Sequence, residues 1–321
     1  MKLFKFSKVI FVGLFILHGI SGCADSEKNL NTIKLTELNF GILPVIQALP
    51  IFVAVEKGYF AEESLKVELI NFRSAMEINI ALTSGQISGY FGDLVTPVIL
   101  KSNGTPIRIA ASFINTVHNQ RMFAVLQPPG SKKITISEAA KMGIATSSNT
   151  IVDYFIYLLL ADKDPAAGTK YNIVETKNIP IRLQLLLSGQ FAAAVLSEPL
   201  VTFAELKGAK VIADDRGMPF SITTFSFTEK FLNESPESAK NFLKAVKRSI
   251  EYINTNPDSV RQIMNSYVNV PKELQDSIKV PKFPLSELLD RGQFDKVISW
   301  LKSKEVIKTE IRYEDLVTRE Q

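Results

Sequence analysis

The sequence predicts an α/β protein made of two similar lobes with a cleft between them. Three observations lead there. Short apolar strand patterns alternate with helical ones from residue 33 to about 213, the pattern of βαβ units and a parallel sheet. A segment repeats at an offset of 104 residues: Ser84-Gly85-Gln86 opens SGQISGYFGDLVTP and Ser188-Gly189-Gln190 opens SGQFAAAVLSEPL. The offset persists to Gly104 and Gly208, each followed by a strand pattern. After about Pro219 the chain turns mostly helical, as a cover over something built earlier.

In the first repeat, strands are expected at 33–40, 65–72, 87–91 and 106–113, with helices at 45–57, 75–83 and 94–102. Gly58 and Gly85 act as the stops of the first two helices. The middle of the chain predicts strands at 121–127, 143–146, 172–176, 192–196 and 210–213. Helices are expected at 137–141, 150–161, 181–187 and 199–206. A last strand is expected at 221–227. Helices follow at 235–255, 259–267 and 285–303, with Pro236, Pro257, Pro271 and Pro284 near their starts.

Composition narrows the functions. Of 321 residues 46% are hydrophobic and 22% charged, enough apolar material for a core without disulfide or metal staples. The net charge of +4 is concentrated at the start, in Lys2, Lys5 and Lys8, and the rest is nearly balanced. Nucleic-acid affinity rests on clustered Lys and Arg, so nucleic acid is not an expected partner. Cys23 is the only cysteine, and the histidines are His18 and His118. No internal disulfide can form. Cys/His zinc or iron–sulfur sites are excluded. There is no G-x-S-x-G elbow, P-loop or dinucleotide fingerprint. No cofactor and no catalytic residue is expected.

Residues 1–22 read as a targeting segment. A basic start precedes twelve apolar-leaning residues at 9–20, too few for a bilayer span of ~20, and this is the layout of a secretory signal peptide. The run ends Ile20-Ser21-Gly22-Cys23. This resembles the bacterial lipoprotein box, in which the cysteine thiol is lipidated. Residues 23–32 then read as a polar tether on a lipid-anchored, extracytoplasmic protein.

In open α/β sheets, ligands sit beyond the carboxyl ends of strands, where helix N-termini offer free N–H groups. Five corners fit: Gly41 to Pro44, including Leu43; Arg73-Ser74; Gly92-Asp93; Thr146 to Thr150, including Ser148 and Asn149; and Ser197-Glu198-Pro199. Helix capping alone would account for Ser74, Asn149 and Thr150, and dipole complementarity for Asp93 and Glu198. The repeat, however, puts Asp93 and Ser197 at equivalent positions. If the lobes face each other, Asp93 and Glu198 meet across the cleft. Asn115 and His118 lie where the chain crosses between lobes, as does Arg121. Tyr59, Phe60, Tyr90, Phe91 and Trp300 suit the core.

The stretch from Ala54 to Asp93 resembles the SsuA-like family of solute-binding proteins, which serve ABC importers for sulfonates, nitrate and thiamine pyrimidine precursors. The residues that carry the likeness are Lys57-Gly58-Tyr59-Phe60, the strand ending at Phe72, Met76-Glu77 and the run from Ala81 to Gln86. The segments 179–200, Gly208-Ala209 and 231–250 fit as well. The resemblance implies a type II periplasmic-binding-protein fold closing about a two-strand hinge. Lobe one would be 33–115 with 223–321, and lobe two 116–222. It implies a monomer that delivers a small molecule to a membrane permease. The family's enzyme branch uses a cysteine-rich motif and an active-site histidine, and neither is present here. A sulfonate would favour helix N-termini with Arg73 or Arg121. Two cleft carboxylates would oppose an anion and tip the expectation toward an aminopyrimidine or related heterocycle.

Overall fold

The computed structural model describes residues 35–114, 120–161, 171–218 and 222–318. The signal segment, tether, Cys23, Asn115, His118 and the lobe boundary at 115–116 lie outside them. Ten strands form two five-stranded sheets. The first holds β1 (Thr36–Ile42), β2 (Leu65–Asn71), β3 (Gly89–Asp93), β4 (Ile107–Ile114) and β10 (Ile222–Thr228), in the order β2-β1-β3-β10-β4. The second holds β5 (Phe123–Gln127), β6 (Ile144–Thr146), β7 (Ile173–Glu175), β8 (Ala193–Ser197) and β9 (Lys210–Asp214), in the order β7-β6-β8-β5-β9.

The two orders are the same plan. In each, three successive strands are parallel and a fourth position is filled by a strand arriving from elsewhere in the chain, β10 or β5. That inserted strand runs antiparallel to both its neighbours, which corrects the expectation of parallel sheets. Each inserted strand follows the last strand of the other sheet. In element order it therefore comes next after a strand rather than after a helix of its own sheet.

Helices α1 (Leu49–Glu56), α2 (Tyr59–Glu62), α3 (Ala75–Thr83) and α4 (Val95–Ser102) accompany the first sheet. Helices α5 (Ile136–Met142), α6 (Ile151–Ala161), α7 (Ile179–Leu187) and α8 (Leu200–Leu206) accompany the second. The repeat is kept residue for residue: α3 and α7 share the 104-residue offset, and so do β3 and β8. Their caps correspond too. Ser74 Oγ accepts from Glu77 N, and Asn178 Oδ1 accepts from Ile181 N. Past the helices, Gly85 and Gly189 take φ of +77° and +74°, left-handed values that let each chain reverse into its strand without a Cβ clash.

The C-terminal cover comprises α9 (Glu229–Glu234), α10 (Pro236–Thr255), α11 (Arg261–Tyr267), α12 (Arg291–Ser303) and α13 (Tyr313–Leu316). Three elements differ from expectation. A 3-10 turn at Ile46–Ala48 precedes α1, so 45–57 is not one helix, and another at Pro257–Val260 precedes α11. The last long helix begins at Arg291, not at 285. Glu287 is extended because its N–H and C=O pair with Ser112 of β4, and Asp290 starts the helix by accepting from Gln293 N at 2.8 Å. The short helices α2, α9 and α13 have no counterpart among the expected elements.

α10 buries Ala239, Phe242, Val246, Ile250 and Ile253, a 3–4 spacing that puts one stripe on the core. Phe242 meets Phe40, Phe60, Phe225 and Phe227 with ring centroids 4.6–6.0 Å apart. Each buried phenyl contributes about 1.5–3 kcal/mol through apolar burial, so this cluster fastens the C-terminal cover to the first sheet. Tyr59, Phe60, Tyr90, Phe91 and Trp300 are all buried, as expected of core residues. Among the described residues, no helix is long and apolar enough to cross a membrane.

Candidate functional site

A cavity of about 100 Å³, partly open to solvent, lies where the carboxyl ends of both sheets meet. From the first sheet come Leu43, Val45 and Gln47 after β1, Ser74 and Ala75 at the start of α3, Phe91, Gly92 and Asp93 at the end of β3, and Thr223 of β10. From the second come Phe123 of β5, Ser147 and Thr150 to Val152 at the start of α6, Lys177, Ile179 and Arg182 around α7, and Ser197 ending β8. This is the placement that open α/β sheets give to ligands.

Asp93 is the pivot. Its Oδ1 accepts from Thr96 N at 2.7 Å, capping α4, and its Oδ2 accepts from Ile151 N at 3.2 Å. It therefore serves two helix N-termini, one on each side of the cavity. Burial raises its pKa, opposed by the N–H groups of Thr96 and Ile151. Desolvation and donor bonds act in opposite directions on a carboxylate, and here desolvation prevails.

The other expected residues divide. Leu43, Ser74, Gly92, Thr150 and Ser197 line the cavity with Asp93. Ser74 also caps α3, and Thr150 Oγ1 donates to Ser147 O at 2.7 Å. Pro44 and Glu198 line an adjoining hollow that shares Leu43, Val45, Ile179 and Ser197 with the cavity. Glu198 does not face Asp93. Its Oε1 accepts from Arg121 Nε at 2.9 Å, and its Oε2 accepts from Thr202 N and Oγ1 at 3.1 and 2.8 Å. A helix cap and an ion pair thus hold it within its own lobe. Ser197, not Glu198, is the structural counterpart of Asp93. Ser148 and Asn149 do not line the cavity. Ser148 bonds the Glu175 carboxylate through its N–H and hydroxyl, and Asn149, at φ +57°, donates its N–H to Asp153 at 2.7 Å.

Four lining groups had no sequence signal. Gln47 is 2% exposed, and its Oε1 has no hydrogen-bond partner among the described residues. Phe123 of β5 lines the cavity along with Phe91. Lys177 Nζ lies 3.2 Å from Met76 Sδ of α3. Arg182, 2% exposed, donates from Nε and Nη2 to Thr176 O at 2.9 and 2.6 Å and from Nη1 to Val195 O at 3.0 Å. With carbonyls rather than a carboxylate against it, burial pulls its pKa down to about 10, and Glu175 only partly offsets this. Within the helical pattern of 181–187 nothing distinguishes it from a solvent-facing arginine.

Two mixed sheets sharing one strand plan, with a cavity between their carboxyl ends, define the periplasmic-binding-protein fold. The chain belongs to the NMT1-like family, which it matches over residues 31–267. It is similar to a formylaminopyrimidine-binding protein of Halalkalibacterium halodurans, at 24% identity over 98% of each chain. It is also similar to the 4-amino-5-hydroxymethyl-2-methylpyrimidine phosphate synthase of Candida albicans, at 21% identity over 79% of this chain and 76% of that one. Among solved structures, the alkanesulfonate-binding protein SsuA of Xanthomonas axonopodis pv. citri, bound to MOPS, superposes with a TM-score of 0.77. It is 12% identical and covers 89% of this chain and 99% of that one.

Proposed function

We propose that this protein is a lipid-anchored, extracytoplasmic solute-binding component of an ABC importer, acting as a monomer. Its ligand is a small aromatic heterocycle of the aminopyrimidine class. The observation that carries the ligand class is that two acceptors, Asp93 and Gln47, and two aromatic residues, Phe91 and Phe123, line one cavity. The Gln47 amide oxygen has no hydrogen-bond partner among the described residues. Buried acceptors are costly unless a donor meets them, and a flat ring carrying N–H groups supplies both the stacking and the donors. The end-to-end likeness to a formylaminopyrimidine-binding protein supports the same class.

Binding follows from closure. Lobe one, 33–115 with 223–321, and lobe two, 116–222, each present one wall. A ligand favours the closed state only through contacts it makes there and not in the open state. The chain carries no cysteine but Cys23, so the binding reading is favoured over the synthase reading. Cys23 is the lipid attachment point, and the partner is the importer's permease.

A second reading has one observation behind it. Arg182 and Lys177 both reach the cavity, and neither is paired there with a carboxylate among the described residues. They would suit a sulfonate or similar anion. Calorimetric titration with a formylaminopyrimidine and with an alkanesulfonate separates the two. Saturable binding of the pyrimidine alone is the expected result, and binding of the sulfonate alone would reverse the assignment. For the anchor, a Cys23→Ser variant should leave the membrane fraction. Equal membrane retention would remove the lipid from the account.

A further inference from the structure

Away from the cavity, the two halves of the molecule are joined by a buried ion pair. Asp153, on the first turn of α6, has a fully buried side chain. Its carboxylate accepts from Lys304 Nζ at 2.5 Å, from the Tyr171 hydroxyl and from Asn149 N. Lys304 follows α12, and α12 is tied to the first sheet on both sides. Before it, Glu287 and Ser112 of β4 exchange two hydrogen bonds of 2.8 Å. After it, Thr318 N donates to Ile109 O of β4 at 2.9 Å. Trp300 of α12 packs against Tyr154 and Tyr157 of α6 with centroids at 5.0 and 6.3 Å, and Lys304 Nζ lies 5.0 Å from the indole centroid. Helix α12 thus spans from the first sheet to a helix of the second.

The same α6 walls the cavity through Thr150, Ile151 and Val152, and its Ile151 N–H donates to Asp93. One helix therefore carries two contacts to the other half: one at the ligand site and one at α12. We infer that Lys304 and Trp300 form a latch on Asp153 and α6 that holds the lobes together, making Lys304 a positioning residue for a ligand site it does not touch. The latch acts whatever ligand the cavity takes.

Trp300 is the chain's single tryptophan, so its fluorescence, excited selectively in the full ligand-free chain, reports this interface directly. In the wild type it should emit as a buried indole and resist acrylamide. In Lys304→Met the emission should shift to the red, acrylamide quenching should rise severalfold, and the radius of gyration from small-angle scattering should grow. Lys304→Arg should restore the wild-type values. The double variant Asp153→Asn/Lys304→Met leaves no buried unpaired charge and should show the same opening if the single variant fails to fold. Titrated with a formylaminopyrimidine, Lys304→Met should bind roughly 5- to 150-fold more weakly than wild type, the range of couplings between distant sites. A wild-type Trp300 already open to acrylamide would overturn the latch. So would unchanged emission, quenching and dimensions in the charge-free variant, even if its melting temperature fell. Either result leaves the ligand assignment untouched, because no ligand is present in these measurements.

Discussion

Arg182→Lys is expected to lower the free energy of unfolding by about 1.5–3 kcal/mol. The guanidinium joins Thr176 O, just past β7, to Val195 O in β8, with α7 as its base. An ammonium has one nitrogen and cannot occupy both carbonyls in the planar way a guanidinium does. At least one buried acceptor then loses a bond to a charged donor, worth about 1.5–3 kcal/mol. The lysine would also carry its charge into a site that already disfavours ionisation of the arginine. Urea unfolding of the two proteins measures the difference. A variant within about 0.5 kcal/mol of wild type, the range of ordinary surface substitutions, would show that Arg182 does not hold the cavity wall.

Asp93→Asn is expected to weaken ligand binding by roughly 1.5–3 kcal/mol, the range for a bond to a charged acceptor, with a smaller loss of stability. An asparagine can keep the bond from Thr96 N through its amide oxygen. Its NH2 then faces the N–H of Ile151, and a contact between lobes becomes an opposition of donors. Pure helix capping makes the reverse forecast: stability falls and affinity does not change. The pH dependence adds an independent check. Burial raises the folded-state pKa of Asp93, so the native protein takes up this proton more readily than the unfolded chain does. Its linked contribution to stability is complete below the unfolded pKa and is lost as pH rises through the raised value. Asparagine removes that slope, so melts of wild type and variant should diverge with pH across this window. Parallel melts, together with wild-type affinity, would leave Asp93 as a cap only.

The parts of the fold that local chemistry determines were legible from the residues. Helices α3 and α7 were expected to end at Ser-Gly-Gln, and they do so because each following glycine takes a left-handed turn. The repeat revealed a shared plan, since the same turn, strand and corner recur at one offset. Strand direction was not legible. The side chains of β5 and β10 report burial, which is the same for a parallel and an antiparallel neighbour. The start of α12 was missed because Glu287 pairs with Ser112, a partner 175 residues away in sequence.

The site divides along the same line. Asp93, Ser74, Thr150 and Ser197 could be located because helix starts beyond strand ends have recognisable residues. Glu198 sits at an equally good corner, yet its neighbour Arg121 and the N–H of Thr202 occupy it. Gln47 and Arg182 were invisible because their role depends on which face of a short helical segment turns toward the other lobe. That information resides in the packing of two sheets, not in either segment alone.

We propose that this cavity carries a small molecule and does not transform it. The most direct measurement is mass spectrometry of whatever is released when freshly purified protein is denatured, followed by incubation of that compound with refolded protein. One heterocycle at near-equimolar yield, returned with its mass unchanged after incubation, is the expected result. Steady conversion of the compound to a product, lost in Asp93→Asn, would contradict the claim and place the chain with the synthases among its relatives.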